Sequence, residues 1–262
     1  MIEKYYNGVI EQVAGGIGNV EHNSILVRYS NDFSIWDLES VNHYKDQTDI
    51  FFTCHEFSYN KIAEAYEPYL GLIRQMFHKY CSGTLEEFME ECDVYKLQRP
   101  VFESYFEKGF CERTEQILID EVEYEQERMR NSIVTMLQKL SEIRPVVIVL
   151  NRFQLASKST MQLSNSLLQV KNKNIGIVLG VNDVQSIPEF AHEEWDAICE
   201  SMDDRNMVYH IGNAGRNMEP DVMDYYSDYE SDDGYRKLNN LVYFLDFDQA
   251  DHHLSKIERR IK

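Results

Sequence analysis

The 262-residue sequence predicts an α/β fold: a mainly parallel five-stranded sheet flanked by helices, with further helices at the C-terminus. Two apolar runs carry this expectation, VVIVL at 146–150 and IGIVLGV at 175–181. Both are short, β-branched and continuous rather than alternating. Strands of that kind are covered on both faces, as in parallel sheets. Amphipathic helical stretches lie between the candidate strands, and such alternation favours parallel pairing through helical crossovers.

The elements follow in order. Val9–Ala14 reads as a first strand, weakened by the polar Glu11 and Gln12, and an apolar helix is expected to open at Ile25 and Leu26. Ile50–Cys54 (IFFTC) is the second strand candidate. Tyr69, Leu72, Ile73 and Met76 fall at helical spacing, with Pro68 near the helix start, where its missing N–H is harmless. Ile133, Met136, Leu137 and Leu140 mark a long charged helix over roughly 115–142, which stops before Pro145. The 146–150 strand follows, then a helix marked by Leu163, Leu167 and Val170, then the 175–181 strand. Met207–Ile211 (MVYHI) closes the sheet.

Residues 219–233 carry seven acids and no base, a composition that repels itself and suits a mobile loop or linker. After it, Leu238, Leu241, Val242 and Leu245 start a new amphipathic helix, and Ala250, Leu254, Ile257 and Ile261 continue a helical face. These helices must dock on the α/β domain, on another chain or on further helices. The expected organisation is an α/β domain over 1–217, an acidic linker over 218–235 and C-terminal amphipathic helices over 236–262.

Charge narrows the function classes. With 26 Lys and Arg against 45 Asp and Glu, the net charge is −19. A surface this acidic repels phosphate backbones and anionic lipid, which argues against nucleic-acid and membrane-surface partners. The five cysteines are scattered, odd in number and never spaced as CxxC, a pattern that fits a reducing cytoplasm better than a disulfide or zinc framework. The N-terminus lacks an export signal's cationic and apolar regions, and no apolar run approaches the roughly 20 residues that span a bilayer.

Ligands of an open parallel sheet bind beyond the C-terminal ends of its strands, so the residues expected to follow the strands are the informative ones. AGGIGNVEHNS (14–24) stands after the first strand candidate. A phosphate-binding loop has the form GxxxxGK[ST], its glycines admitting phosphate to backbone N–H groups, its Lys and hydroxyl serving the phosphates and Mg²⁺. Laid on Gly16, that frame keeps the first glycine, and Gly18 and Ser24 add small residues. It puts Glu21 in place of the second glycine, His22 in place of lysine and Asn23 in place of the hydroxyl. After the 146–150 strand, Asn151 and Arg152 stand where an ATPase keeps the acids that hold Mg²⁺ and position water. After the 175–181 strand comes Asn182, followed by Asp183, where a phosphate-sensing Asn is often found.

RPVVIVLNRFQLASKSTMQLSNSLLQ followed by NIGIVLGVND resembles the Walker B and sensor regions of the AAA-like signal-transduction ATPases, the STAND group. CHEFSYNKIAEAYEPYLGLIRQMF (54–77) is similar to the segment of those modules that leads into a PY- or PF-containing helix. The resemblance runs as spaced fragments over about 10–212, and LNNLVYFLDFDQADHHLSKIERRI (238–261) resembles the opening of the tetratricopeptide-type repeats that usually follow such modules. It implies a P-loop NTPase-like fold, and a site in which Gly16, Gly18, Glu21, His22, Asn23, Ser24, Asn151 and Asn182 are the degenerate counterparts of nucleotide-binding residues.

The chemistry of those substitutions argues against ATP hydrolysis. Glu21 would set a carboxylate against phosphate, a repulsion of roughly 4 kcal/mol at about 4 Å and an effective dielectric of about 20. His22 is shorter than lysine and mostly neutral near pH 7. Asn151 offers Mg²⁺ a neutral carbonyl, and Arg152 is no general base. The expectation is a non-catalytic pseudo-ATPase, a signalling or scaffold module working through a protein partner or linked output and repeat domains, with no cofactor. The alternative is a regulatory ATPase in which Gly16, Gly18, Ser24 and Asn182 still hold ATP with Mg weakly. A third is a plain α/β binding domain, in which the glycine cluster is an ordinary turn and Asn151 and Asn182 cap helices. His252 and His253 lack a further ligand at useful spacing, so no metal site is expected.

Overall fold

Five parallel strands form one sheet in the order β2-β3-β4-β1-β5, with β1 Ser24–Tyr29, β2 Phe51–Glu56, β3 Val146–Asn151, β4 Ile175–Asn182 and β5 Val208–Ile211. The computed structural model describes residues 2–18, 23–30, 35–45, 49–58, 61–111, 122–170, 172–182, 187–203, 207–211 and 232–261. The helices are α1 Ile2–Gly15, α2 Glu39–Lys45, α3 Tyr69–Tyr80, α4 Leu85–Glu91, α5 Arg99–Lys108, α6 Val122–Ile143, α7 Lys158–Gln169, α8 His192–Asp203, α9 Asp232–Tyr243 and α10 Phe247–Ile261. The expected α/β class and parallel five-stranded sheet are present, flanked by helices and followed by C-terminal helices. The start of the expected 115–142 helix and most of the acidic 219–233 run lie outside the described residues.

One element corrects the sequence reading. Val9–Ala14 is no strand: it lies inside α1, and the segment expected to open a helix at Ile25 and Leu26 is β1. Tyr6, Val9, Ile10, Val13 and Ala14 recur at helical spacing, and all are buried in one cluster with Ile25, Val27, Val147, Val149 and Val178. The short apolar run is thus the inward stripe of a helix. Ile25, Leu26 and Val27 are instead continuous and wholly buried, as a strand covered on both faces requires.

The strand order fixes which helix covers which face. From β1 the chain crosses to the far edge at β2, then steps back through β3 and β4 and passes β1 to reach β5. Crossovers between parallel strands are right-handed, so connections running in opposite senses lie on opposite faces. Accordingly α1 and α2 cover one face. Side chains of α3 and of α5 to α8 cover the other, against Leu26, Ile148, Leu150, Ile177, Leu179 and Val181. Two glycines of β4 admit α1 closely: a Cβ at Gly176 would stand 2.7 Å from Val13, and one at Gly180 would meet the Tyr6 hydroxyl. Helix α1 therefore runs antiparallel to β4, its start above the C-terminal edge of the sheet.

Of the three docking options open to the C-terminal helices, the structure shows the first. Phe244, just after α9, stacks edge-on with Tyr66, Phe102 and Tyr105 at centroid distances of 5.7–6.1 Å. Asn240 accepts from the Cys111 N–H and donates to Glu64, both at 2.8 Å. Asp246 is buried and accepts from the Ser159 N–H (3.0 Å) at the start of α7 and the Gln249 N–H (3.3 Å) in α10. Burial raises its carboxyl above the usual range, against the pull of those bonds. Asp246→Ala strips an acceptor from two helix starts and is expected to lower the unfolding free energy by about 1–2 kcal/mol, read as a lower urea midpoint. An unchanged midpoint would show that these caps contribute nothing.

Candidate functional site

The natural crevice of this sheet lies between β1 and β4, neighbours whose following connections leave toward opposite faces. Tyr29 ends β1 directly beside Asn182, which ends β4. Beyond them, Asn151 ends β3 and Glu56 ends β2.

Side chains fill this edge. The Tyr29 hydroxyl donates to Asn151 Oδ1 at 2.7 Å. The Tyr6 ring lies edge-on to Tyr29, centroids 6.5 Å apart, with its hydroxyl over Gly180. Tyr6 and Asn151 are both wholly buried. Burial, reinforced by Tyr29, raises the Tyr6 phenol well above its ordinary value, so it stays neutral near pH 7. Asn151 Nδ2 is buried with no hydrogen-bond partner among the described residues. Asn182 donates its N–H to Gln154 Oε1 at 3.2 Å, and both residues are buried.

Next to this cluster, Arg152 takes a left-handed conformation (φ 53°, ψ 41°), uncommon for a residue with a side chain. It sets the guanidinium Nη1 3.2 Å from Glu56 Oε1. Glu56 Oε2 in turn accepts from the Ile35 N–H at 3.2 Å, just before α2. The ends of β2 and β3 and the start of the helix after β1 are thereby strapped together. Among the described residues the Glu56 carboxylate thus holds the Ile35 N–H, and the nearby Arg152 cation is paired with that carboxylate.

The structure brings together only part of the residue set that the sequence suggests. Asn151 and Asn182 share the C-terminal edge of the sheet. Gly16, Gly18, Asn23 and Ser24 lie at the other edge, because the glycine turn leads from α1 into β1 rather than out of a strand. About 20 Å of strand separates the two groups. Gly18 (φ +97°) makes the left-handed turn after α1 and donates to the Lys173 carbonyl. Asn23 Nδ2 donates to the carbonyls of Asn172 (2.6 Å) and Ile175 (2.7 Å), tying β1 to the start of β4. Glu21, His22 and Asp183 lie outside the described residues. The helix-capping role open to Asn151 falls instead to Ser157, whose Oγ accepts from the Thr160 N–H at the start of α7.

Sequence reasoning missed Tyr6, Tyr29, Glu56 and Gln154. Each is unremarkable locally; strand-end position was the one available signal, and it applies to Tyr29 and Glu56 once β1 is correctly placed. Among the described residues no group of three His, Cys, Asp or Glu side chains could hold a metal ion, and no helix is long and apolar enough to cross a membrane. Comparison with protein-family models gives no match, and neither does comparison with curated proteins.

Proposed function

We propose that this chain is a non-catalytic α/β module that works through protein contacts, its strand-end crevice closed by its own side chains. One observation carries the reading: Tyr6, delivered by α1 over Gly180, sits with Tyr29 and Asn151 where a ligand of such a sheet would enter. The Arg152–Glu56 pair supports it, since the Arg152 guanidinium already faces a carboxylate. On this reading the chain is a degenerate relative of the AAA-like signal-transduction ATPases. A five-stranded parallel sheet flanked by helices is consistent with that ancestry. Its working partners are other proteins or covalently linked output and repeat domains, in the reducing cytoplasm that its five free cysteines suit.

Thermal unfolding with and without Mg-ATP tests this. No shift is expected across millimolar nucleotide. A ligand at 100 times its Kd stabilises the folded state by about 2.7 kcal/mol. A melting temperature that climbs with Mg-ATP would overturn the proposal in favour of a nucleotide-binding regulator.

A further inference from the structure

Strand β2 is an edge of the sheet, and among the described residues no strand pairs with its outward side. The Phe51 N–H donates to the Pro145 carbonyl (2.7 Å) and the Phe57 N–H to the Asn151 carbonyl (3.0 Å). In a parallel ladder alternate residues serve one neighbour, so the odd-numbered residues of β2 face β3. The amides and carbonyls of Phe52 and Cys54 point away from it. Every residue of β2 is partly exposed, whereas every residue of β3 and β4 is buried. Unpaired strand edges of this kind are templates for a further strand.

Two cavities run along this edge and meet at Gln75. The first, about 560 Å³, lies at the start of β2, between Lys45 at the end of α2 and Arg74 and Lys79 of α3, with Phe51 and Phe52 beneath. The second, about 240 Å³, lies beside Thr53, Cys54 and His55 and carries Glu64 and Glu67. Charge is thus divided along the trough. Among the described residues no carboxylate lines the first cavity, although the chain carries a net charge of −19. Lys79 Nζ stands over the rings of Phe51 (5.9 Å) and Tyr80 (5.3 Å), and Lys45 and Lys79 are both exposed.

We infer that the β2 edge receives an extended segment of a partner protein as a sixth strand, with carboxylates where it passes Phe51 and Phe52 and none where it passes His55. Backbone hydrogen bonds to Phe52 and Cys54 would supply the pairing, and alternate side chains would enter the two cavities. Charge complementarity selects this occupant. Lys45 and Lys79 attract carboxylates at one end, while Glu64 and Glu67 repel them at the other. Screening beyond about 8 Å at physiological salt lets these local charges outweigh the acidic remainder of the surface. The inference names a surface for the protein contacts proposed above. It can fail separately, because Mg-ATP binding bears on the crevice and leaves the β2 edge untouched.

Fluorescence anisotropy on the full chain tests it with a short labelled peptide that alternates valine and glutamate in one half and valine and serine in the other, and with a counterpart carrying lysine in place of glutamate. The glutamate peptide is expected to bind and the lysine peptide not. The double variant Lys45→Glu/Lys79→Glu, both sites exposed, should weaken binding at least about tenfold, or 1.4 kcal/mol. Cys54→Pro removes an outward donor without touching the β3 ladder and should weaken it similarly, with unchanged circular dichroism. Failure of the glutamate peptide to bind, or equal affinity in the double variant, would overturn the inference. So would a concentration-dependent dimer that Cys54→Pro dissolves, which would give the edge to a second copy.

Discussion

Gly180→Val is expected to lower the unfolding free energy by about 3 kcal/mol, the upper part of the range for overpacking a filled interior. Even one Cβ here would stand 2.7 Å from Asn151 Oδ1 and nearer still to the Tyr6 hydroxyl. Both groups are wholly buried, so neither can swing into water. Urea denaturation measures the loss. Tyr6→Ala alone should also destabilise, by opening a cavity, but combined with Gly180→Val it should return part of the stability, because the new methyls occupy the vacated space. Strict additivity of the two changes would mean that Tyr6 does not sit over Gly180 in solution. Gly176→Val is a useful companion, since it presses on Val13 at the other edge and leaves the crevice alone.

The second large effect is pH dependence through His55. Burial is the main cause that lowers its pKa from 6.5 to about 4, with Lys61 and Lys237 adding repulsion and Glu56 opposing them. Glu67 Oε1, 3.5 Å from Nε2, also favours the charged ring, but that separation is too long for a good hydrogen bond, and desolvation wins. In the unfolded chain the ring takes up its proton near pH 6.5; in the folded chain it does so only near pH 4. The unfolded state therefore binds more protons in that window, and stability falls as the solution is acidified. Between about pH 7 and 4.5 the loss from this one group is about 2–3 kcal/mol. Carboxylates titrate over part of the same range, so the comparison is with His55→Gln, whose acid loss should be smaller by that amount. Parallel stability profiles for the two proteins would place the His55 ring in solvent.

Much of the fold is legible in the sequence because burial on both faces leaves a local imprint. VVIVL and IGIVLGV have no polar face to offer, and a strand between covering helices is where such runs fit. The error at α1 has an equally physical source. Val9 to Ala14 alone are too short to separate a strand from a helix, and the glycine pair after them imitates a phosphate loop. Extending the window back to Tyr6 restores the helical period, and the isolated polar Glu11 and Gln12 then fall on its outer face, where both are exposed. The crevice was far less legible. Asn151 and Asn182 can be picked out as residues that follow strong strands. Tyr6 and Glu56 cannot, because their roles depend on which strands are neighbours and on an antiparallel course of α1, and neither is written in any local window.

The position of β1 also shapes how this protein is made. Its ladder partners are β4 and β5, so Ser24–Tyr29 finds no partner until the ribosome has reached residue 175 and beyond. At about 5–20 residues per second, an interval of about eight to thirty seconds separates synthesis of β1 from synthesis of its mate. Through that interval a greasy hexapeptide and the sticky side of the leading helix remain open to other nascent chains. Long-range parallel pairing is intrinsically slow to nucleate. Folding yield should therefore depend on how well the apolar faces of α1 and β1 are shielded until β4 has been made.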